Sequence, residues 1–514
     1  MATAPCPKFT IDSNTTGLRY AEETCIKQLP PNPVWRQLEP NKYSDFGGQV
    51  TLVARNPINP TRQRKKGVIT DLDASGGFTQ DLTQTNSTRL LQGYFFADWR
   101  EKADTLPING DAIPFTNVSA ATSEYDAADG LDKFLPGMIV MAQGFGMLDN
   151  NGIKTIATAT ASTITVNETV VDEAAPSANA KIQAVGYQFD SEGMNITVSG
   201  PNVRLTTSTG FDFTTLGLVP GEWLFIGGDA PDTQFTESVN NGFCRVRSVS
   251  ADYIELDKTS GTMESEMSTG KTIRLWFGNI LRNELDPALI KRRTYQLERT
   301  LGEDQDGTMS EYLVGAVANE LKMTVAQADK ITVDMSFVAV DNEQRTGAMG
   351  TKPGLRVDNV ETAAFNTSSD FSRIKLHLVD NVNTNPAPMF AFLTEMDLSI
   401  NNHVTPTKAV GVLGAFDTTA GTFEVTGTLK AYFANIEAVQ AVRSNADVSL
   451  DIAIVKNNAG LVWDIPLIGL GDGRLAVEAD QPITLPLNTD AAQGQYGYTL
   501  QLTDFPYLPA LADT

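Results

Sequence analysis

Residues 422–433 read TFEVTGTLKAYF, which places Phe423, Val425, Leu429, Ala431 and Phe433 on one face of an extended chain. Glu424, Thr426, Thr428 and Lys430 fall on the other face. Alternation of period two with one apolar face marks an antiparallel strand in a half-buried sheet. Val448, Leu450, Ile452 and Ile454 alternate in the same way, as do Tyr496, Tyr498, Leu500 and Leu502. Asn457-Asn458-Ala459-Gly460 supplies a hairpin turn between two of these runs. NIEAVQAVR (435–443) adds a short helical pattern. This part of the chain is predicted as a β-sandwich or strongly curved antiparallel sheet carrying one helix.

The same order of signals occurs earlier in the chain. Asn56-Pro57-Ile58-Asn59-Pro60-Thr61-Arg62 corresponds to Asn402-His403-Val404-Thr405-Pro406-Thr407-Lys408. Asp73-Ala74-Ser75-Gly76-Gly77-Phe78 corresponds to Asp417 through Phe423 with a one-residue adjustment, and STRLLQGYF (87–95) supplies the helix. Turn, strand, turn, strand and helix in one order argue for duplication. A second, local repeat lies inside the first copy. Leu135-Pro136-Gly137 matches Val219-Pro220-Gly221, Asn150-Asn151-Gly152 matches Asn240-Asn241-Gly242, and Lys181 matches Lys271. Short strands with glycine turns predict two small all-β modules, barrels or sandwiches, inserted at a surface loop and projecting outward.

The predicted organisation is an N-terminal arm over 1–45 and a first large β domain from 46–102 plus 283–384. Inserted modules follow at 104–187 and 188–279, and a second large β domain at 385–514. The arm contains six prolines (5, 7, 30, 31, 33 and 40) and no sustained apolar periodicity. It reads either as a disordered tail or as an extended arm ordered on a neighbouring subunit, with Trp35 as the candidate anchor.

The bulk composition narrows the function classes. The chain has 514 residues, 41% hydrophobic and 20% charged, which is the composition of a multi-domain globular protein. A formal net charge of −23 disfavours stable nucleic-acid binding, which relies on basic residues. Residues 103–280 hold 22 acidic and nine basic residues (−13), against 40 and 30 in the rest (−10), so most of the charge sits on the inserted modules. The start MATAPCPKF has no apolar core of a secretory signal, and no run of about 18 apolar residues occurs. Cys6, Cys25 and Cys244 form no CxxC pair, which fits a reducing cytosol during folding.

Catalytic signals are sparse. His377 lies in IKLHLV (374–379), where alternation predicts a solvated side chain, and His403 lies in the turn-like INNHVTP. Neither has a second ligand at metal-binding spacing. The acidic stretch Glu303-Asp304-Gln305-Asp306-Gly307 has glycine where a calcium loop needs its first ligand, so it is read as a turn. No phosphate-binding, dinucleotide-binding or nucleophile-elbow pattern occurs. These signals predict a non-enzyme with no catalytic, cofactor or metal site.

The stretch Arg55-Asn56-Pro57-Ile58-Asn59-Pro60-Thr61-Arg62-Gln63-Arg64-Lys65-Lys66-Gly67 leads into VITDL (68–72), then GGFTQDLTQTN (76–86) and LLQGYFFAD (90–98). These residues, with YLVGAVANEL (312–321) and LSINN (398–402), resemble the major tail tube proteins of phages with long, non-contractile tails. The resemblance covers about 45–102 and 283–510 and leaves the inserted modules aside. It implies rings of tube domains stacked into a hollow conduit for the genome, six domains per ring in this family. Two copies per chain then imply homotrimeric rings of pseudo-sixfold symmetry, since side-to-side contacts close a ring while top-to-bottom contacts extend it. Implied partners are the chain itself, a tape measure protein, tail-terminator and tip proteins, and DNA passing without specific binding; no membrane is involved. The implied location is the virion tail, after assembly in the host cytoplasm.

Loops around 55–66 and 301–311 are the candidate ring-to-ring contacts. Arg62, Arg64, Lys65 and Lys66 on one would face Glu303, Asp304 and Asp306 on the other. Two competing readings are an adhesive or carbohydrate-binding surface protein using the tandem modules, and a hydrolytic tail component with paired carboxylates.

Overall fold

The computed structural model describes residues 11–58, 60–304, 307–380, 382–390, 392–433 and 436–513. The protein is mainly β, with two short α-helices among the described residues. It divides into two compact units. One comprises the chain through Phe96 with Ile290–Thr367 and Thr394–Leu429; the other comprises Ala97–Leu289, Ser368–Leu393 and Lys430 onward.

The first unit is organised on the strand Gly307–Ala326. Tyr295–Asp304 pairs antiparallel with it, Asp341–Arg345 pairs with its first half, and Thr332–Ala339 pairs with its second half. Ser310 through Ala318 are all buried, after which burial alternates. The strand thus begins covered on both faces and ends half exposed. Thr332–Ala339 continues the sheet to Lys65–Asp81, which pairs in turn with Pro40–Arg55. Leu393–Asn401 pairs with the second half of Gly307–Ala326 as well, and two N-terminal strands extend the sheet. Gly17–Glu22 pairs with Tyr295–Asp304, and Val34–Leu38 runs parallel to Leu355–Val357.

The helix Thr88–Phe95 buries Leu90, Leu91, Tyr94 and Phe95, a stripe of the helical period. Tyr94 packs edge-on against Phe337 and donates its hydroxyl to the Ser336 carbonyl. Gly93 lies against the Tyr295 ring, and a Cβ there would sit 2.6 Å from the phenolic oxygen. The helix closes on Phe96 in the left-handed region (φ 49°).

The second unit repeats this plan. The helix Glu437–Ser444 closes on left-handed Asn445 (φ 48°). Val448–Lys456 then turns through Asn457 and Asn458, both at positive φ, into Ala459–Asp472. Two successive left-handed residues make the hairpin turn that asparagine tolerates best after glycine. Ala459–Asp472 pairs with Gln501–Phe505 along its first half and with Thr484–Ala491 along its second. It too starts fully buried, Gly460 through Pro466, and then alternates. Both helices begin one or two residues later than the sequence pattern predicts, and Asn435 lies outside the described residues.

The inserted region forms a 13-stranded sheet within the second unit. Its two halves follow one plan. Met138–Gln143, Gly152–Ala159 and Thr163–Val166 in one match Trp223–Ile226, Gly242–Val249 and Tyr253–Lys258 in the other. The matched asparagines bond alike. Asn151 accepts from the Phe145 N–H and donates to the Phe145 and Met147 carbonyls, while Asn241 does the same with Phe235 and Glu237. Asn150 and Asn240 each donate at 2.9 Å to a carboxylate, Glu173 and Glu266, that caps two backbone N–H groups. The strands of the two expected modules run on in one hydrogen-bonded order. Lys181–Gln188 pairs with Arg274–Phe277 at its centre, and a single apolar core spans both halves.

Candidate assembly surfaces

Pro40–Arg55 and Lys65–Asp81 form a long hairpin whose outer part has no core on either face. Gly48 through Arg55 are all exposed, as are Val68, Ile69 and Thr70. Val50 and Leu52 share one face with Ile69, and Val53 lies opposite Val68 on the other; Leu52 is 63% exposed. A two-stranded ribbon is marginal alone in water, and exposed apolar strand residues invite a partner. At the tip, Ile58 is fully exposed. Arg62, Arg64, Lys65 and Lys66 are exposed and make no ion pair among the described residues.

A second hairpin, Thr405–Lys408 with Ala415–Thr419, presents exposed Val410, Val412, Leu413 and Phe416. It is tied down by Lys408, whose ammonium bonds both Asp71 and Asp73, which lie opposite Thr51 and Gln49 of the long hairpin. Lys408 and Arg62, matched in the repeat, therefore differ in role. In the second unit, the turn between Ala459–Asp472 and Thr484–Ala491 exposes Leu475, Val477 and Ile483.

The loop around 301–311 is the tip of the Tyr295–Asp304/Gly307–Ala326 hairpin. Glu303 is exposed there. The Asp304 side chain and Asp306 lie outside the described residues. Glu311 faces inward instead, paired with Arg299, whose guanidinium lies 4.6 Å from the Phe46 ring centre.

Trp35 is fully buried with Ala21, Tyr312 and Val314, and its indole N–H donates to the Pro353 carbonyl at 3.1 Å. Nearby, Glu298 accepts from the Tyr312 hydroxyl at 2.5 Å and from Arg356 at 2.7 Å. Residues 17–22 and 34–38 thus belong to the sheet of the first unit in this chain.

The inserted sheet has an apolar seat on the C-terminal strands. Trp223, Phe225, Phe243 and Trp276 pack with Ala453, Val455, Val462, Phe505 and Leu508. Beside this seat, Arg245 joins Asp257 (2.9 and 3.0 Å) and Asp464 (both oxygens at 3.0 Å). Tyr498 donates to Asp464 and Tyr496 to Asp257. Gly221 must be glycine, since it sits at φ 88° with the Tyr498 ring where a Cβ would point.

His377 is placed otherwise than alternation predicts. His377 is 0% exposed, because Phe371–Leu378 is covered on both faces near its end, and burial pushes its pKa down to about 3. His403 sits at φ 48° and contacts Glu424 at 2.5 Å. Among the described residues, no cluster of three His, Cys, Asp or Glu is placed to hold a metal. No described helix is long and apolar enough to cross a membrane.

The sequence matches the phage tail tube protein family over residues 13–491. The chain belongs to that family. The match runs through the inserted sheet as well as both copies of the helix-and-hairpin plan. No curated protein matches the chain. For this tail tube protein, membership carries a structural role in the virion tail and self-assembly into a tube. The two-faced ribbon at 48–55 is not among the sequence expectations. Its signal was present in VTLVA (50–54) and VI (68–69), where apolar residues fall on both faces at once.

Proposed function

We propose that three chains close into a ring with pseudo-sixfold symmetry, and that such rings stack into the hollow tube of a long, non-contractile tail. The observation that carries this reading is the repeated plan. Each unit contains one short helix closing on a left-handed residue and one central strand that is buried in its first half and alternating in its second. Six such plans around a lumen require three chains.

In this reading the sheets of both copies line the lumen, and the ribbon at 48–55 and 65–70 packs onto a neighbouring chain. Burying exposed Val and Leu side chains contributes roughly 1.5–3 kcal/mol each when complete. The tips at 55–66 and 301–311 meet between rings, with Arg62, Arg64, Lys65 and Lys66 facing Glu303, Asp304 and Asp306. Each exposed pair is worth about 0–1 kcal/mol, so the contact sets register through repetition rather than strength. The tube is assembled in the host cytoplasm with a tape measure protein and terminator and tip proteins, and DNA passes through it without binding. The apolar seat under the inserted sheet favours a reinforcing role over an independent adhesive arm.

Electron microscopy of the purified chain, induced to polymerise with tail initiator components, tests this. Hollow tubes with threefold rings are expected. Rings of six chains would overturn the stoichiometry, and a monomer that binds glycans would favour the adhesive reading.

A further inference from the structure

A cavity of about 210 Å³ opens in the second unit where the inserted sheet meets the C-terminal strands. Arg245, Asp257, Lys258, Thr384, Ser449 and Gln495 are among its lining residues. Lys258 decides its chemistry. Only 3% of this residue is exposed, yet among the described residues its ammonium has no hydrogen-bond acceptor and no carboxylate at ion-pair distance. A charge with so little contact with water and no protein partner favours a counter-ion that reaches it through the cavity.

The neighbouring carboxylates are already engaged. Asp464 is held by Arg245 and Tyr498, and Asp257 by Arg245, Tyr496 and Gln495. Asp451 is paired with Arg373. Lys375, on the adjoining strand, donates to Asn385. Arg245 and Arg373 thus engage these three carboxylates, which leaves Lys258 without an ion pair of its own; Arg247, Asp380 and Asp447 also line the cavity. Burial and the neighbouring Arg245 lower the Lys258 pKa only to about 8, so the group stays mostly cationic at neutral pH.

We propose that this cavity binds a small oxyanion, of carboxylate or phosphate size, seated on the Lys258 ammonium. The Thr384 hydroxyl on the wall offers a further polar contact, and the exposed carboxylates of Asp380 and Asp447 in the lining disfavour a polyanion such as nucleic acid. The ligand class is thus a small, singly or doubly charged anion. This inference does not depend on the ring stoichiometry.

The test uses the full-length chain at constant ionic strength, titrated with phosphate, acetate or sulfate while Tm and binding heat are followed. A saturable rise in Tm is expected for at least one anion, as mass action on a native-state site requires. General salting-out stabilisation does not saturate. In Lys258→Met the saturable rise is lost, while stability without anion is retained or increased, since an unpaired buried charge has been removed. Should that variant not fold, acetylation of Lys258 in the unaltered chain, read by mass spectrometry, is expected to slow several-fold when the anion is present. No saturable effect on the unaltered chain, an unchanged effect in Lys258→Met, or acetylation indifferent to anion would each overturn the proposal.

Discussion

Arg245 and Asp464, 219 residues apart in sequence, form a fully buried bidentate ion pair, with Nη1 at 3.0 Å from both carboxylate oxygens. One residue comes from the inserted sheet and the other from the central strand of the C-terminal copy, so the pair stitches the insertion to its host. Removing one partner strands the other without compensation. Asp464→Ala is expected to destabilise the second unit by about 3–5 kcal/mol. The double variant Arg245→Met/Asp464→Leu should recover only part of that loss, because Asp257 also loses Arg245 and keeps only Tyr496 and Gln495, and urea denaturation checks both. A loss in Asp464→Ala below about 1 kcal/mol would show the seat to be held by its apolar core alone.

Acid sensitivity should trace to His377. Its pKa is about 3 in the folded protein against an ordinary value near 6.5, so between those limits the unfolded chain binds more protons. Stability from this group is complete above about pH 6.5 and falls as pH drops toward 3, by up to ~1.4 kcal/mol per unit. His377→Gln should flatten the denaturation midpoint between pH 4.5 and 6.5, relative to the unaltered chain. An unchanged slope would exclude His377 as the cause.

The exposed ribbon separates folding from assembly. Leu52→Asp places a charge at a position that is solvated in the single chain, so subunit stability should change by no more than about 0.5 kcal/mol. Polymerisation should be abolished, because that charge would be desolvated on the neighbouring chain. Sedimentation and electron microscopy read the second effect, and thermal denaturation the first. Tubes forming normally would remove the ribbon from the interface.

Gly93 offers a packing test inside a helix. Alanine is the better helix former by about 1 kcal/mol, yet its Cβ would meet the Tyr295 ring and hydroxyl at 2.6–2.8 Å. Overpacking wins, and Gly93→Ala should cost about 1–3 kcal/mol. The Tyr295 hydroxyl is buried without a hydrogen-bond partner among the described residues, so Tyr295→Phe should be near neutral alone and partly rescue the alanine variant. A stabilised Gly93→Ala would mean that the ring yields easily.

Charge reversal at the hairpin tip tests the inter-ring reading. Arg64→Glu with Lys65→Glu should leave the subunit folded but weaken stacking, with the defect shrinking at high salt as screening grows. Assembly indistinguishable from the unaltered chain at low salt would argue that these side chains are merely solvated.

Much of the fold was legible because it is local. Alternation in TFEVTGTLKAYF, the Asn457-Asn458 turn and the two short helices each follow from the positions of neighbouring side chains. The matched asparagines at 150–151 and 240–241 also announced a repeated turn, since the side chain that stabilises such a turn comes from the turn itself. His377 was misread because alternation reports a strand's own faces and not what covers them.

By itself the sequence determined the β character and the tail tube family, both of which rest on short-range pattern. Only the tertiary structure decided that the inserted modules share one sheet, that this sheet is seated on the C-terminal strands, and that Lys258 is left unpaired beside Arg245. Those outcomes depend on contacts between residues hundreds of positions apart. Burial and charge balance are properties of what surrounds a side chain, and chain order does not record its surroundings.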